Sequence, residues 1–300
     1  MRLLVGVDAG ASGSTVLVGD GMRVLARAAG GAGAVRPGAV NQAAEAILDT
    51  VRRALGQGRA TRALALVVGA AGAGREPERS ELERALAAAG IADAVRVTTD
   101  IEIALVTGLG GGPGILLLSG TGSAACARLP SGELRRTGGH GWQFGDEGSG
   151  YWLARAAVSA VAQAEDGRAP PTALTAALAG AAGVEGEKAL LLWARSAPHR
   201  AIADLARVVQ DLAARDDVAR QIVDQAAQAL AAHVRALMPH FEGQVSPITV
   251  AMAGGVLRPD SPIRAAVTRL LEADHPPPRV LGTLVSPPHG ALLLAAQLAS

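Results

Sequence analysis

One local pattern occurs twice in this chain and limits its possible folds more than any other feature. An apolar run, Leu3-Leu4-Val5, enters Gly6-Val7-Asp8-Ala9-Gly10-Ala11-Ser12-Gly13-Ser14. About a hundred residues later, Ile115-Leu116-Leu117 enters Leu118-Ser119-Gly120-Thr121-Gly122-Ser123. In each case a short strand runs into glycines and small hydroxyl residues, and a second β-like run follows. Glycine permits the tight turn and lets amide N–H groups approach an anion, while Ser and Thr add hydroxyl donors. Two such loops on two similar halves can clamp a polyphosphate from opposite sides, the outline of an ATP-using enzyme with a cleft between domains.

The surroundings repeat as well. Apolar runs at 3–7, 15–18 and 23–29 read as three strands, with Asp20-Gly21 as a tight hairpin turn. A helix near 39–55, a buried strand at 63–68, a helix near 79–89, a short strand at 95–98 and a helix from Asp100 follow. The glycine-rich stretch 108–114 breaks the pattern, which then restarts with strands at 115–118, 124–129 and 133–136 around the turn Pro130-Ser131-Gly132. A long helical region spans 148–240, then a strand at 248–252, a helix at 262–273, a strand at 280–283 and a last helix from about Gly290. Two α/β domains are expected: 1–107 joined by 287–300, and 108–286 enlarged by the helical stretch.

Composition narrows the function. Three hundred residues, 49% of them hydrophobic, can bury a substantial core, and a net charge of +1 gives no electrostatic case for nucleic acid or an anionic membrane. Lys188 is the single lysine, so neither glycine loop is a P-loop of the lysine-bearing kind. One cysteine, Cys126, allows no intramolecular disulfide and argues against a protein-held iron–sulfur cluster. The apolar run before Asp8 is too short for a signal peptide, and no stretch is long enough to cross a membrane, so a soluble cytoplasmic protein is expected. His199, His233, His240, His275 and His289 show no metal-ligand spacing and read as surface or packing residues.

With these residues in view, the chain resembles the sugar-kinase, actin and heat-shock-chaperone superfamily. Within it, the chain resembles the N-acetylglucosamine kinase and BadF/BadG-type ATPase family. Asp8-Ala9-Gly10-Ala11-Ser12, Thr99-Asp100 and Ser119-Gly120-Thr121-Gly122-Ser123 carry the likeness. So does Gly138-Gly139-His140-Gly141-Trp142-Gln143-Phe144-Gly145-Asp146-Glu147-Gly148-Ser149-Gly150-Tyr151-Trp152, followed late in the chain by Ala253-Gly254-Gly255-Val256 and Gly290-Ala291. The ordered set covers nearly the whole chain. It implies two ribonuclease-H-like, actin-like ATPase domains with an interdomain cleft and a helical insertion in the second.

The resemblance also implies roles. Phosphoryl transfer to a sugar hydroxyl needs phosphate clamps, Mg²⁺ and a base beside the accepting oxygen. Asp8, at a strand end, suits Mg²⁺ held through water, since hard cations prefer oxygen. Gly10, Ser12, Gly13 and Ser14 would form one phosphate clamp, although Gly13 stands where the family usually has a basic residue. Gly120, Thr121 and Gly122 would form the opposing clamp, and Ala203, Gly254 and Gly255 the adenosine side. Asp100 would be the general base toward the sugar 6-hydroxyl; the plain alternative is a helix N-cap. Asp146, Ser123, Gly139, His140 and Gly141 would form the sugar pocket, with His140 where the family usually has Trp. Trp142 reads as a sugar-stacking residue or as core, and Glu147-Gly148-Ser149 as the cap of the next helix.

The expected activity is ATP-dependent phosphorylation of N-acetylglucosamine to its 6-phosphate by a homodimer. Asparagines found in family members after the third strand and after the second clamp are absent here, where Gly33-Ala34-Val35-Arg36-Pro37 and Ala124 stand, which keeps glucosamine or another hexosamine open. Two other classes compete: the ATPase that activates 2-hydroxyacyl-CoA dehydratases, which needs paired cysteines, and an ATP-binding module without transfer chemistry.

Overall fold

The same five-stranded sheet is built twice, once in each of two compact units formed by Met1–Gly112 with Val285–Ser300 and by Pro113–Leu284. The structure, a computed structural model, describes every residue except Met1, Arg2, Ser12, Met22 and Arg59, and the side chain of Leu284.

In the first unit, β1 (Leu4–Ala9), β2 (Ser14–Gly19) and β3 (Val24–Gly30) form an antiparallel meander. After α1 (Val40–Gln57), β4 (Ala63–Ala70) pairs parallel to β1, and after α2 (Glu78–Ala88), β5 (Ala92–Thr99) pairs parallel to β4, giving the order β3-β2-β1-β4-β5. Strands alternate their side chains between faces. Val5, Val7, Leu66 and Val68 therefore join the core under α1 and α2. Leu4, Ala65 and Val67 join a second core with Ile103 of α3 (Asp100–Leu109) and Ala291, Leu294 and Ala295 near the chain's end.

In the second unit, β6 (Gly114–Ser119), β7 (Ser123–Arg128) and β8 (Leu134–Gly138) repeat the meander. The stretch expected to be one long helical region is six helices: α4 (Gly150–Glu165), α5 (Leu174–Ala182), α6 (Gly186–Ser196), α7 (His199–Asp204), α8 (Ala206–Leu212) and α9 (Asp217–Leu237). The breaks are chemical. Gly183 ends α5 in the left-handed conformation, Pro198 precedes α7, and Asp216 caps α9 by accepting a hydrogen bond from Ala219 N. β9 (Thr249–Ala253), α10 (Pro262–Glu272) and β10 (Arg279–Leu284) complete the sheet in the order β10-β9-β6-β7-β8, with parallel β6–β9 and β9–β10 pairs.

The chain then returns to the first unit as α11 (Pro287–Leu298). It begins three residues earlier than expected because Pro287 and Pro288 sit in the first turn, where no N–H partner is needed. It lies so close to β1 and α3 that a Cβ at Gly6 would collide with Leu292 N, and one at Gly290 with the Ile103 carbonyl oxygen. Among the described residues no helix is long and apolar enough to cross a membrane.

Candidate active site

Asp8 stands one residue from the end of β1, level with Gly69 on β4, which is level with Thr98 on β5. Two residues beyond Thr98, Asp100 opens α3, so both carboxylates lie along the same end of the first sheet. Asp8 is largely buried, and its pKa rises from 3.8 to about 6, first because burial disfavours the charge and second because of repulsion by Asp100.

The N-cap alternative for Asp100 is corrected by the geometry. Thr99 is the cap, its Oγ1 accepting from Glu102 N at 3.1 Å, and Asp100 is the first helical residue, with Oδ1 accepting from Ile101 N at 3.0 Å. The Asp100 side chain is therefore not needed to start the helix.

In the first loop, Gly10 N donates to Gly13 O at 2.9 Å and Gly33 N donates to Gly10 O at 3.1 Å. Ser14 is the first residue of β2, and its buried Oγ has no hydrogen-bond partner among the described residues. Ser12 lies outside the described residues.

The second loop is stitched to the segment that follows β8. Gly120 N donates to Gly122 O at 2.9 Å, and Gly150 N donates to Gly120 O at 2.7 Å. Ser119 Oγ donates to Gly148 O at 2.9 Å and Ser123 Oγ to Glu147 O at 2.7 Å, while Ser123 N donates to Asp146 Oδ1 at 3.3 Å. Asp146 is buried and has a φ of 60°. That conformation is sparsely populated outside glycine and is held here by the surrounding contacts. Its carboxylate lies over Gly122, so a Cβ there would come within 2.9 Å of Oδ2.

Around Asp146, Gly139, Gly141 and Gly148 all have positive φ, and His140 is exposed. Ser149 caps α4 by accepting from Trp152 N at 3.1 Å, the role expected of it. Trp142 meets Tyr151 edge to face at 5.5 Å between centroids, and Tyr151 stacks on His199 at 4.0 Å. His199 is thus a packing residue. His233 of α9 comes beside Gly138; burial lowers its pKa, against the opposing charges of Glu147 and Asp146.

A cleft of about 460 Å³ in the second unit gathers Gly120, Thr121, Ala203 and Gly255, four of the residues expected to serve a nucleotide. Gly254, with a φ of 100°, sits next to it, pressed on the Ser119 carbonyl. The same cleft is lined by Arg200, Arg207, Gln210 and Arg258, which sequence reasoning missed. Their signal was weak: they fall on helix faces or loops with no motif of their own. Arg258 is 18% exposed and bridges Asp211 and Asp260, while Gln210 Oε1 accepts from Ser261 Oγ at 2.8 Å. A larger cleft, about 610 Å³, lies between 238–248 and 274–278 and contains none of the expected site residues.

The residues suit a divalent cation with an ordinary hydration shell. Asp8 and Asp100 are two hard oxygen donors whose mutual repulsion a dication would relieve. Mg²⁺, which keeps several waters and takes phosphate oxygens, fits such a sparse donor set.

A model of the BadF/BadG/BcrA/BcrD ATPase family matches residues 5–295. An N-acetylmuramic acid/N-acetylglucosamine kinase of Clostridium acetobutylicum is 26% identical over 301 residues, 98% of each chain. A solved structure from Chromobacterium violaceum, provisionally named N-acetylglucosamine kinase, is 30% identical with a TM-score of 0.79, over 98% of this chain and 99% of its own. The fold is also shared by a ROK hexokinase of Thermus thermophilus at 20% identity and a TM-score of 0.57, over 99% of this chain and 98% of that one. With the two repeated sheets and a match along nearly the whole length, the chain belongs to the BadF/BadG/BcrA/BcrD ATPase family and has its two-domain actin-like fold.

Proposed function

We propose that this chain is an ATP-dependent kinase of amino sugars and that it converts N-acetylglucosamine to its 6-phosphate. The observation that carries the reading is Asp100: a carboxylate in the first turn of α3, with the capping duty taken by Thr99. Its side chain is not the helix cap, and as a carboxylate it would receive the proton of the sugar 6-hydroxyl as that oxygen attacks phosphorus. Asp8 would hold Mg²⁺, which, when bound with ATP, neutralises charge on the phosphates. The turn of Gly10, Gly13 and Ser14 and the turn of Gly120, Thr121 and Gly122 would each border the phosphates, with Gly10 N and Gly120 N holding the turns closed and the remaining N–H and hydroxyl groups facing phosphate oxygens. Ala203, Gly254 and Gly255 would border the adenosine. Asp146, Ser123, Gly139, His140 and Gly141 would hold the sugar, with Asp146 accepting from its hydroxyls.

The relatives support the substrate class. The Clostridium kinase carries both N-acetylmuramic acid and N-acetylglucosamine in its name, and the Chromobacterium protein the second of these. The dehydratase-activator reading has little to stand on, because Cys126 is buried in β7 and is the single cysteine of the chain. We take the active species to be a cytoplasmic homodimer, which sedimentation of the purified chain tests. The activity itself is tested by ADP release from ATP and Mg²⁺ across N-acetylglucosamine, glucosamine, N-acetylmannosamine, N-acetylmuramic acid and glucose. Sugar-dependent ADP release with one or more amino sugars is expected. ATP hydrolysis that runs equally fast with no sugar overturns the kinase reading.

A further inference from the structure

A cleft that is to hold a nucleotide base needs a flat surface for the ring to lie on. The 460 Å³ cleft of the second unit has no aromatic side chain in its lining among the described residues. The extended planar groups that line it are guanidinium ions. Arg200 and Arg207 stand on helix surfaces, 58% and 71% exposed, each beside an aspartate one turn along its own helix stretch. Arg258 is different: it follows the turn after β9 and is 18% exposed.

Arg258 is gripped along its edge. Its Nε meets Asp260 at 3.1 Å, its Nη1 donates to Gln210 Oε1 at 3.4 Å and its Nη2 donates to Asp211 Oδ1 at 3.5 Å. Gln210 is itself fixed: it is buried and accepts from Ser261 Oγ at 2.8 Å, and Ser261 caps α10. The N–H donors of a guanidinium lie in its plane, so three partners on three nitrogens hold that plane in one orientation. The surface left for a ligand is the flat face. Two carboxylates also balance the charge, which makes this arginine a poor phosphate clamp and a serviceable stacking plane.

We propose that Arg258 is the platform on which the nucleotide base stacks, and that Gln210, Asp211 and Asp260 are positioning residues that hold it flat. The inference rests on the reading of this cleft as the nucleotide site and adds a binding residue to it. Stacking reads the face of a ring and not its edge, so Arg258 contributes to adenine and to guanine alike. Contact between a guanidinium plane and a π-system is worth about threefold to thirtyfold in affinity.

The experiment measures calorimetric binding to the full-length wild type, Arg258→Met and Arg258→Lys, with Mg²⁺ and without sugar. The probes are the β,γ-imido analogues of ATP and GTP, and tripolyphosphate, which has phosphates and no base. Asp211 and Asp260 are 56% and 70% exposed, so they stay hydrated when the arginine is removed and both variants should fold. Arg258→Met should weaken both nucleotide analogues about threefold to thirtyfold, by similar factors, and leave tripolyphosphate unchanged. Arg258→Lys keeps the charge and loses the plane, so it should fall as far as Arg258→Met. Wild-type affinity in Arg258→Lys, an equal loss for tripolyphosphate, or a loss confined to one of the two bases overturns the inference. So does unchanged nucleotide binding in Arg258→Met. A wild type that binds the analogues yet phosphorylates no sugar overturns the kinase reading alone, and one that binds no nucleotide overturns both.

Discussion

Replacing Asp8 by Asn should stabilise the ligand-free protein at neutral pH while removing the proposed metal ligand. Asp8 has its pKa raised from 3.8 to about 6, by burial first and by the charge of Asp100 second. The folded state therefore binds the proton more tightly than the unfolded chain. The stability this contributes is fully present below pH 3.8 and is lost as the pH rises through about 6. A shift of that size corresponds to about 3 kcal/mol lost on ionisation. Asn keeps the volume and does not titrate, but its amide adds a constant offset of its own. The quantity to read is how the gap between variant and wild type changes with pH: it should widen in favour of Asn by about 3 kcal/mol between about pH 3.5 and 7.5. The assay must report on the right unit. All six aromatic residues, Trp142, Phe144, Tyr151, Trp152, Trp193 and Phe241, lie in the second unit, so intrinsic fluorescence is blind to Asp8. Hydrogen exchange followed by mass spectrometry, on peptides from β1 and β4 and corrected for intrinsic rates, reads the opening free energy where it matters. A pH-independent gap would refute the reasoning. Asp100→Asn should shrink the pH effect without abolishing it, because burial is the larger cause.

Asp100→Asn should also lower turnover by about 10²- to 10⁴-fold with nucleotide affinity nearly intact, checked by steady-state kinetics and nucleotide titration. Gly254→Ala should cost the second unit about 2–4 kcal/mol in urea denaturation followed by tryptophan fluorescence, since a Cβ would strike the Ser119 carbonyl at a backbone φ of 100°. Asp216→Ala removes hydrogen bonds from Ala219 N at 2.8 Å, Ala173 N at 2.8 Å and Thr172 Oγ1 at 2.9 Å, and should cost about 1–2 kcal/mol by the same assay. Burial pushes the Asp216 pKa up, but those bonds prevail and hold it below 3.8. The stability it contributes is present above that value, so the gap between Asp216→Ala and wild type should narrow as the pH falls through the lowered pKa.

The duplicated sheets were legible because each rests on local signals: apolar runs of strand length, glycine turns and helical periodicity. The candidate site was legible only where a motif carried it. Asp8, Asp100 and the 119–123 loop sit at strand ends, and strand ends are set by turn chemistry written in neighbouring residues. Arg200, Arg207 and Arg258 reach their cleft through the packing of α7, α8 and the turn after β9, and no short window of sequence encodes that packing. His233 is a sharper case. It meets Gly138 across about a hundred residues of intervening chain, and an α9 histidine between apolar positions looks like any other. The helical region at 148–240 was legible in extent but not in its breaks: its alanines favour helix so uniformly that Gly183, Pro198 and Asp216 are the main marks of interruption.

The return of α11 to the first unit also sets an order of events during synthesis. Ala291, Leu294 and Ala295 cover the face formed by Leu4, Ala65, Val67 and Ile103. Between α3 and α11 the ribosome must translate the second unit, about 170 residues, which takes roughly 10–35 s at typical elongation rates. Throughout that interval the nascent first sheet lacks the α11 part of the cover on one apolar face, and by its end the second unit holds every strand and helix of its own. The part made first is therefore the part finished last, and it is the natural client for a chaperone that shields apolar surface.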